Sequence, residues 1–122
     1  MHSRTLWISV AATVLAAVSA SAEERGNAAA GMATYAQECA SCHGVEGRGD
    51  GPTSARLKPK PANFWERHSS TEVKQVRVVT NGGESENLSA NMPSFCDDLT
   101  PQQILDVVAY VRDRFPAARP AE

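Results

Sequence analysis

The sequence predicts an all-α domain of three main helices joined by two long loops. Residues recur at helical spacing in the stretches GMATYAQECASCH, VKQVRVV and QQILDVVAYVRDRF. No stretch alternates apolar and polar residues in a way that indicates a strand, and there is no internal repeat. The 122 residues suffice for one domain.

The N-terminal residues 1–22 have the features of an export signal. A short start containing Arg4 precedes the apolar run LWISVAATVLAAVSA, and Ala-Ser-Ala at 20–22 forms an A-x-A cleavage site. The apolar run falls short of the ~20 residues that a membrane-spanning helix needs. We therefore expect a signal peptide over 1–22 and a domain over 23–122, with an uncleaved membrane anchor as the alternative.

The first predicted helix ends in a long irregular segment. Met32, Tyr35, Cys39 and Cys42 follow one another at helical spacing. The segment 44–68 then contains four glycines and three prolines and has no periodicity. A run of this length without regular structure is unusual in a compact domain, so we expect it to wrap around a bound group.

Capping signals mark the starts of the other two helices. Ser69 and Glu72 have the spacing of a capping box before VKQVRVV, and the Asn-Gly-Gly of 81–83 ends this helix. The segment TPQQ at 100–103 is a second capping box with proline in the first helical position, and Pro116 ends the helix that follows. A polar loop then runs from the end of the second helix to Pro93.

The stretch CASCH contains Cys39, Cys42 and His43. A zinc site needs four ligands, and besides these the chain after the signal offers only Cys96 and His68, which lack the second paired spacing that zinc sites usually show. A thioredoxin-like dithiol follows a strand, whereas this one follows a helical stretch, and a plain disulfide would not explain the adjacent histidine. CxxCH is the attachment signature of a c-type haem, in which both thiols become thioethers and the histidine binds the iron. We predict one covalent haem c at these three residues.

The second axial position of the iron has two candidate methionines after the signal. Met32 lies upstream of Cys39 on the attachment helix, on the side that His43 uses. Met92, in NMPSFC, follows a loop long enough to cross the haem edge, and Pro93 restricts the backbone after it. We predict that His43 and Met92 bind the iron, and a thioether ligand raises the reduction potential. An ordinary core methionine at position 92 is the alternative.

These motifs together resemble the monohaem class I cytochromes c, in particular a bacterial periplasmic branch. The resemblance rests on Gly31 and Tyr35 before CASCH, on GRGDGP and LKPKPANF, on MPSF, and on Val107 and Tyr110 in VVAYV. It implies the class I cytochrome c fold, in which the N-terminal helix packs on the C-terminal helix and long loops wrap around one covalent haem. It also implies that a backbone carbonyl near Pro61 and Ala62 accepts the Nδ1 hydrogen of the haem-binding histidine.

The resemblance implies a periplasmic carrier of single electrons between larger redox partners, a dehydrogenase or an oxidase, with no catalysis of its own. A haem subunit of a dehydrogenase or oxidase complex and a five-coordinate haem protein, a peroxidase or gas sensor, are the alternatives. The formal net charge is −2 and no basic cluster is present, so nucleic acid is not an expected partner. We expect no stable membrane insertion after cleavage.

The roles of three further residues stay open on the sequence. Phe64 and Trp65 either close the haem edge or pack in the core, and in the first case the Trp65 indole or Arg56 would reach a haem propionate. Cys96 departs from the family pattern and has no intramolecular partner once the other two cysteines hold the haem. We expect a free thiol there, with a disulfide-linked dimer or a cross-link to a partner subunit as the alternative.

Overall fold

The computed structural model describes residues 25–66 and 70–116 and confirms the all-α prediction, since these ranges contain helices and turns but no strand. The helices are α1 (Ala28–Thr34), α2 (Ala40–His43), α3 (Glu72–Asn81) and α4 (Pro101–Arg114). A π-helical turn, Tyr35–Cys39, joins α1 to α2, and short 3₁₀ turns lie at Ser54–Arg56 and Glu84–Glu86. Within the described residues, no helix combines the length and the apolar character needed to cross a membrane. The predicted signal peptide lies outside the described ranges, as do His68 and Ser69.

Helices α1 and α4 cross at very short distance. A Cβ atom on Gly31 would collide with the backbone carbonyl of Asp106, so only glycine fits at this point of α1. The Asp106 side chain is buried and accepts two hydrogen bonds, one from the backbone N–H of Asn27 at 2.7 Å and one from the Gln102 amide at 2.8 Å. Because Asn27 is the N-cap of α1, this carboxylate also fixes the start of that helix.

Aromatic residues fill the space beside the crossing. Tyr35, Val107 and Phe115 are at most 2 % exposed. The Tyr35 ring lies 5.2 Å from that of Tyr110 and 5.7 Å from that of Phe115. The N-terminal helix therefore packs on the C-terminal helix, as the resemblance implies, and the contact includes Tyr35, Val107 and Tyr110.

Both later helices begin at capping residues, but one of the two predicted starts is wrong. The hydroxyl of Thr71 accepts a hydrogen bond from the backbone N–H of Lys74, so α3 begins at Glu72, two residues later than a cap at Ser69 predicts. The capping box of α4 is confirmed, because Thr100 accepts from the backbone N–H of Gln103 and the Gln103 side chain accepts from that of Thr100.

A second group of buried residues lies between α3 and the start of α4. Phe95, Leu99 and Ile104 form its centre. Val76, Val79 and Met92 pack against them and are partly buried. The fold therefore has an aromatic core at one end of α4 and, at the other end, a mainly aliphatic core, which we call the aliphatic core.

Candidate haem site

The end of α2 is held by the glycine-rich loop that follows it. Gly44 has a φ of +82° and ends the helix, and the chain then folds back on the helix that it has left. The backbone N–H groups of Gly49 and Gly51 donate to the carbonyls of His43 and Cys42, at 2.8 and 3.1 Å. These bonds satisfy carbonyls that the end of a helix leaves without partners, so the loop determines how the histidine is presented.

The His43 ring is oriented by two contacts. Its Nδ1 lies 3.2 Å from the carbonyl oxygen of Ala62, and the ring of Phe64 stacks on it with centroids 4.7 Å apart and planes 15° apart. Burial lowers the pKa of His43, which favours the neutral ring, although the bond to Ala62 acts in the opposite direction. A neutral imidazole with its hydrogen on Nδ1 leaves the lone pair of Nε2 free to bind a metal.

The two thiols lie beside this histidine on the same short helical segment. Cys39 is the N-cap residue of α2, Cys42 lies in its last turn, and both are partly buried and free of disulfides. Burial raises the pKa of the Cys39 thiol to about 12, and the neighbouring Glu38 and Cys42 add to the rise. Among the described residues, no group of three or more His, Cys, Asp or Glu side chains is placed so that it could hold a metal ion.

The segment that supplies the Ala62 carbonyl packs tightly against the glycine loop. Gly49 has a φ of +73°, and a Cβ atom there would collide with the carbonyl oxygen of Pro61. Gly47 has a φ of +67°, and a Cβ atom there would lie 2.8 Å from the ring of Phe115. Glycine is therefore required at both places by conformation and by space. Pro61 itself is half-buried.

Phe64 and Trp65 form an aromatic wall with Phe115. Their ring centroids lie 5.7 and 5.8 Å from that of Phe115, and both residues pack against the aromatic core. The indole N–H of Trp65 donates to the carbonyl of Glu46 at 2.6 Å, so its hydrogen-bonding group already has a partner within the protein. Trp65 therefore has the contacts of a core residue, whereas Phe64 also contacts the predicted haem ligand. Arg56 is exposed at the end of its 3₁₀ turn.

Met92 packs with the second group of buried residues, whereas Cys39 and Phe64 pack with the aromatic core. Its side chain is half-buried against the aliphatic core. Its backbone carbonyl accepts a hydrogen bond from the N–H of Gly83 at 2.9 Å, and its own N–H donates to the carbonyl of Ser89 at 3.1 Å. The structure thus places Cys39, Cys42, His43 and Phe64 together. Iron binding by Met92 stays a prediction.

Two residues of the site were missed on the sequence. Phe115 is fully buried and contacts both aromatic residues of the wall, and its position just before Pro116 is the signal that could have indicated a docked helix end. Asp106 is buried at the helix crossing, which a helical pattern of apolar residues does not indicate.

The comparisons with known proteins agree with this geometry. The family named Cytochrome c matches residues 28–114. The chain belongs to the cytochrome c family. The matched range of this family includes CASCH, Met92 and all four helices.

Two relatives and one solved structure illustrate the range of similar proteins. Cytochrome c6 of Picosynechococcus is 32 % identical over 113 residues, which cover 88 % of this chain and 92 % of the relative. The cytochrome c subunit of the quinone alcohol dehydrogenase of Gluconacetobacter polyoxogenes is 35 % identical over 94 residues, 71 % of this chain. A chain of the reducing HAO-like protein complex of Kuenenia stuttgartiensis superposes with a TM-score of 0.57 at 30 % identity over 70 % of this chain. This chain spans only 19 % of the alcohol dehydrogenase subunit and 41 % of the Kuenenia chain.

Proposed function

We propose that this cytochrome c carries single electrons in the periplasm between larger redox proteins, a dehydrogenase or an oxidase. Cys39 and Cys42 would attach one haem c, and His43 and Met92 would bind its iron. When bound, the haem supplies an iron that changes between ferric and ferrous states. The chain itself has no catalytic step. Its residues attach the group, bind the iron and exclude water.

The observation that carries the proposal is the orientation of His43 beside the two thiols. The Nδ1–Ala62 contact and the Phe64 ring hold the imidazole in one orientation. A histidine that merely filled the core would not need to follow CxxC directly. The donor set therefore fits a covalent haem, with two sulfurs for thioether bonds and one imidazole nitrogen for the iron.

The relatives support the carrier role and also a second candidate. A cytochrome c6 matches over nearly its whole length, which supports a small protein of one haem domain. The quinone alcohol dehydrogenase subunit, in contrast, supports a place inside a dehydrogenase complex. The mass of the native species purified from its own cells separates the two, because a carrier elutes alone and a subunit elutes with its partners.

The test of the haem site uses extraction, spectra and two methionine variants. We expect the haem to resist acidified organic extraction, because thioethers hold it, and the ferric protein to show the weak near-infrared sulfur-to-iron band. Met92→Ala should abolish this band and lower the reduction potential. Met32→Ala is the matched control, since Met32 is 59 % exposed on α1 and should change neither quantity. Extractable haem would refute the attachment, and a band that persists in Met92→Ala would refute the sixth ligand.

A further inference from the structure

The segment that carries Met92 is a loop closed by its own hydrogen bonds. The N–H of Gly83 donates to the carbonyl of Met92 at 2.9 Å, which joins the first and last residues of the loop. Inside it, the N–H groups of Glu86 and Leu88 donate to the carbonyl of Gly83 at 3.1 and 2.9 Å. The backbone of Met92 is therefore bonded to a residue only two positions beyond the end of α3.

The junction between α3 and the loop, Gly82 and Gly83, has no room for side chains. A Cβ atom on Gly83 would collide with the carbonyl of Ser89 and would lie 3.1 Å from the Cβ of Met92. Gly82 has a φ of +86°, and a Cβ atom there would lie 3.2 Å from the carbonyl oxygen of Met92. A shift of the loop relative to α3 would therefore shift Met92 as well.

An ion pair connects the middle of this loop to the body of α3. Nε and Nη2 of Arg77 donate to the two carboxylate oxygens of Glu86, at 2.6 and 3.2 Å. The hydrogen bond from Arg77 is the main reason that the pKa of Glu86 lies below its usual value. Such a two-point contact defines a direction as well as a distance, so it holds the 3₁₀ turn Glu84–Glu86 in one orientation on the helix.

The chain is attached to α3 on the other side of Met92 too. The hydroxyl of Ser94 donates to the carbonyl of Thr80 at 2.7 Å, and the N–H of Phe95 donates to the carbonyl of Val79 at 3.0 Å. Contacts to α3 therefore bracket Met92. These hydrogen bonds join neutral groups, whereas the contact between Arg77 and Glu86 joins full charges in an exposed place and weakens with salt.

We propose that Arg77 is a positioning residue for Met92, which acts through Glu86 by clamping the loop 83–92 to α3. The proposal rests on the proposed function, because it takes the Met92 sulfur as an iron ligand. Without the ion pair, the loop would leave α3 more often and would carry the Met92 sulfur with it, so that this sulfur would be available to the iron for less of the time. An added nitrogen ligand then competes more successfully for the open position.

Imidazole binding to the ferric protein measures this competition. We expect Arg77→Gln and Glu86→Gln each to tighten imidazole binding about two- to fivefold, the range that an exposed ion pair supplies. The double variant Arg77→Glu with Glu86→Arg restores the pair and should return the affinity towards that of the wild type. Raising the salt concentration should tighten binding to the wild type and leave Arg77→Gln almost unchanged.

The control is Arg114→Gln, which breaks the 2.7 Å ion pair with Glu46 at a place remote in sequence from the loop; the Arg114 side chain is 43 % exposed and that of Arg77 is 52 % exposed. It should leave imidazole binding at the wild-type value. An unchanged affinity in Arg77→Gln, or an equal change in Arg114→Gln, overturns the proposal.

A separate readout distinguishes this failure from failure of the ligand assignment. If Met92→Ala keeps the near-infrared band and the wild-type imidazole affinity, Met92 is not the ligand. The clamp is then judged by hydrogen exchange of the Gly83 amide, whose partner is the Met92 carbonyl. This amide should exchange faster in Arg77→Gln than in Arg114→Gln, and equal rates refute the clamp itself.

Discussion

Tyr35 connects the CASCH segment to the aromatic core. Its hydroxyl donates to the carbonyl of Gly44 at 2.7 Å, and both groups are buried. Gly44 is the residue at which the chain turns away from His43. One hydrogen bond therefore links the ring at the helix crossing to the turn that presents His43, the predicted iron ligand.

For a single residue, we predict that Tyr35→Phe lowers the free energy of unfolding by about 1–2 kcal/mol, because it leaves the buried Gly44 carbonyl without its donor. Denaturant unfolding at neutral pH measures the change. Tyr110→Phe removes a hydroxyl from the neighbouring, only half-buried ring and should cost less. Equal losses in the two variants would show that the Gly44 bond contributes nothing specific.

Tyr35 also gives the stability a pH dependence. Burial raises the pKa of Tyr35 above its usual value. The unfolded chain ionises this phenol at about pH 10 while the folded chain still holds the proton, so stability falls as the pH rises above about 10. The free energy of unfolding, measured against pH, should fall less steeply above pH ~10 in Tyr35→Phe than in the wild type. Parallel curves for the two proteins would mean that Tyr35 does not cause this pH dependence.

Some residue roles can be predicted from the sequence, whereas others depend on a residue that is distant in the chain and close in space. Cys39, Cys42 and His43 were predictable because their spacing alone carries the chemistry. The role of Trp65 was left open because the sequence does not distinguish an indole that reaches a haem propionate from one that packs in the core or at the surface. Only the three-dimensional position of Glu46 shows which partner the indole has in this structure.

At the scale of the elements, the crossing of α1 and α4 depends on one missing side chain. An alanine at position 31 would raise helix propensity by about 1 kcal/mol relative to glycine. Its methyl group would also overlap the Asp106 carbonyl, and backbone cannot move aside as a flexible side chain can. The two effects have opposite signs, so the variant tests which of them is larger.

We predict that Gly31→Ala lowers the free energy of unfolding by about 1–3 kcal/mol, the usual cost of forcing an extra group into a packed contact. Ala33→Gly is the matched control, since Ala33 is exposed on the same helix. This variant should lower the free energy of unfolding by only about 1 kcal/mol, the difference in helix propensity. A Gly31→Ala protein more stable than the wild type would mean that the helices do not approach this closely in solution.

The starts of α3 and α4 show why one boundary was predictable and the other was not. TPQQ contains one residue that can cap, and its proline and glutamine agree with that choice. Before α3 the sequence offers Ser69, Ser70 and Thr71, all with hydroxyls that cap helices. The π-helical turn Tyr35–Cys39 was also not predictable, because helical periodicity does not distinguish a single widened turn from a regular one.

At the scale of the whole molecule, Cys96 is the residue through which two chains could be joined. It is exposed and free, and its sulfur lies 3.2 Å from the Ser94 hydroxyl. It borders a mainly apolar groove of about 220 Å³ between α3 and α4, which is lined also by Val76, Thr80, Leu99, Pro101, Ile104 and Leu105. Exposure leaves the thiol accessible to reagents.

We predict that the haem-loaded protein is a monomer with one thiol per chain that reacts with an alkylating reagent, because the haem uses the other two cysteines. Cys96→Ser should not react. Electrophoresis with and without reductant, on protein from its native compartment, checks the same point. A band of twice the mass that disappears on reduction, and that Cys96→Ser lacks, would establish a disulfide-linked dimer instead.

The bond between the N–H of Asn27 and the carboxylate of Asp106 joins residues 79 positions apart. During synthesis the ribosome therefore completes the CASCH segment long before the residues that close the helix crossing exist. Closing a contact across so many residues costs chain entropy, so it slows folding more than a local contact would. Until α4 has been made and has docked, it cannot cover Tyr35 beside the two cysteines, so the CASCH segment is accessible to the haem attachment that we propose.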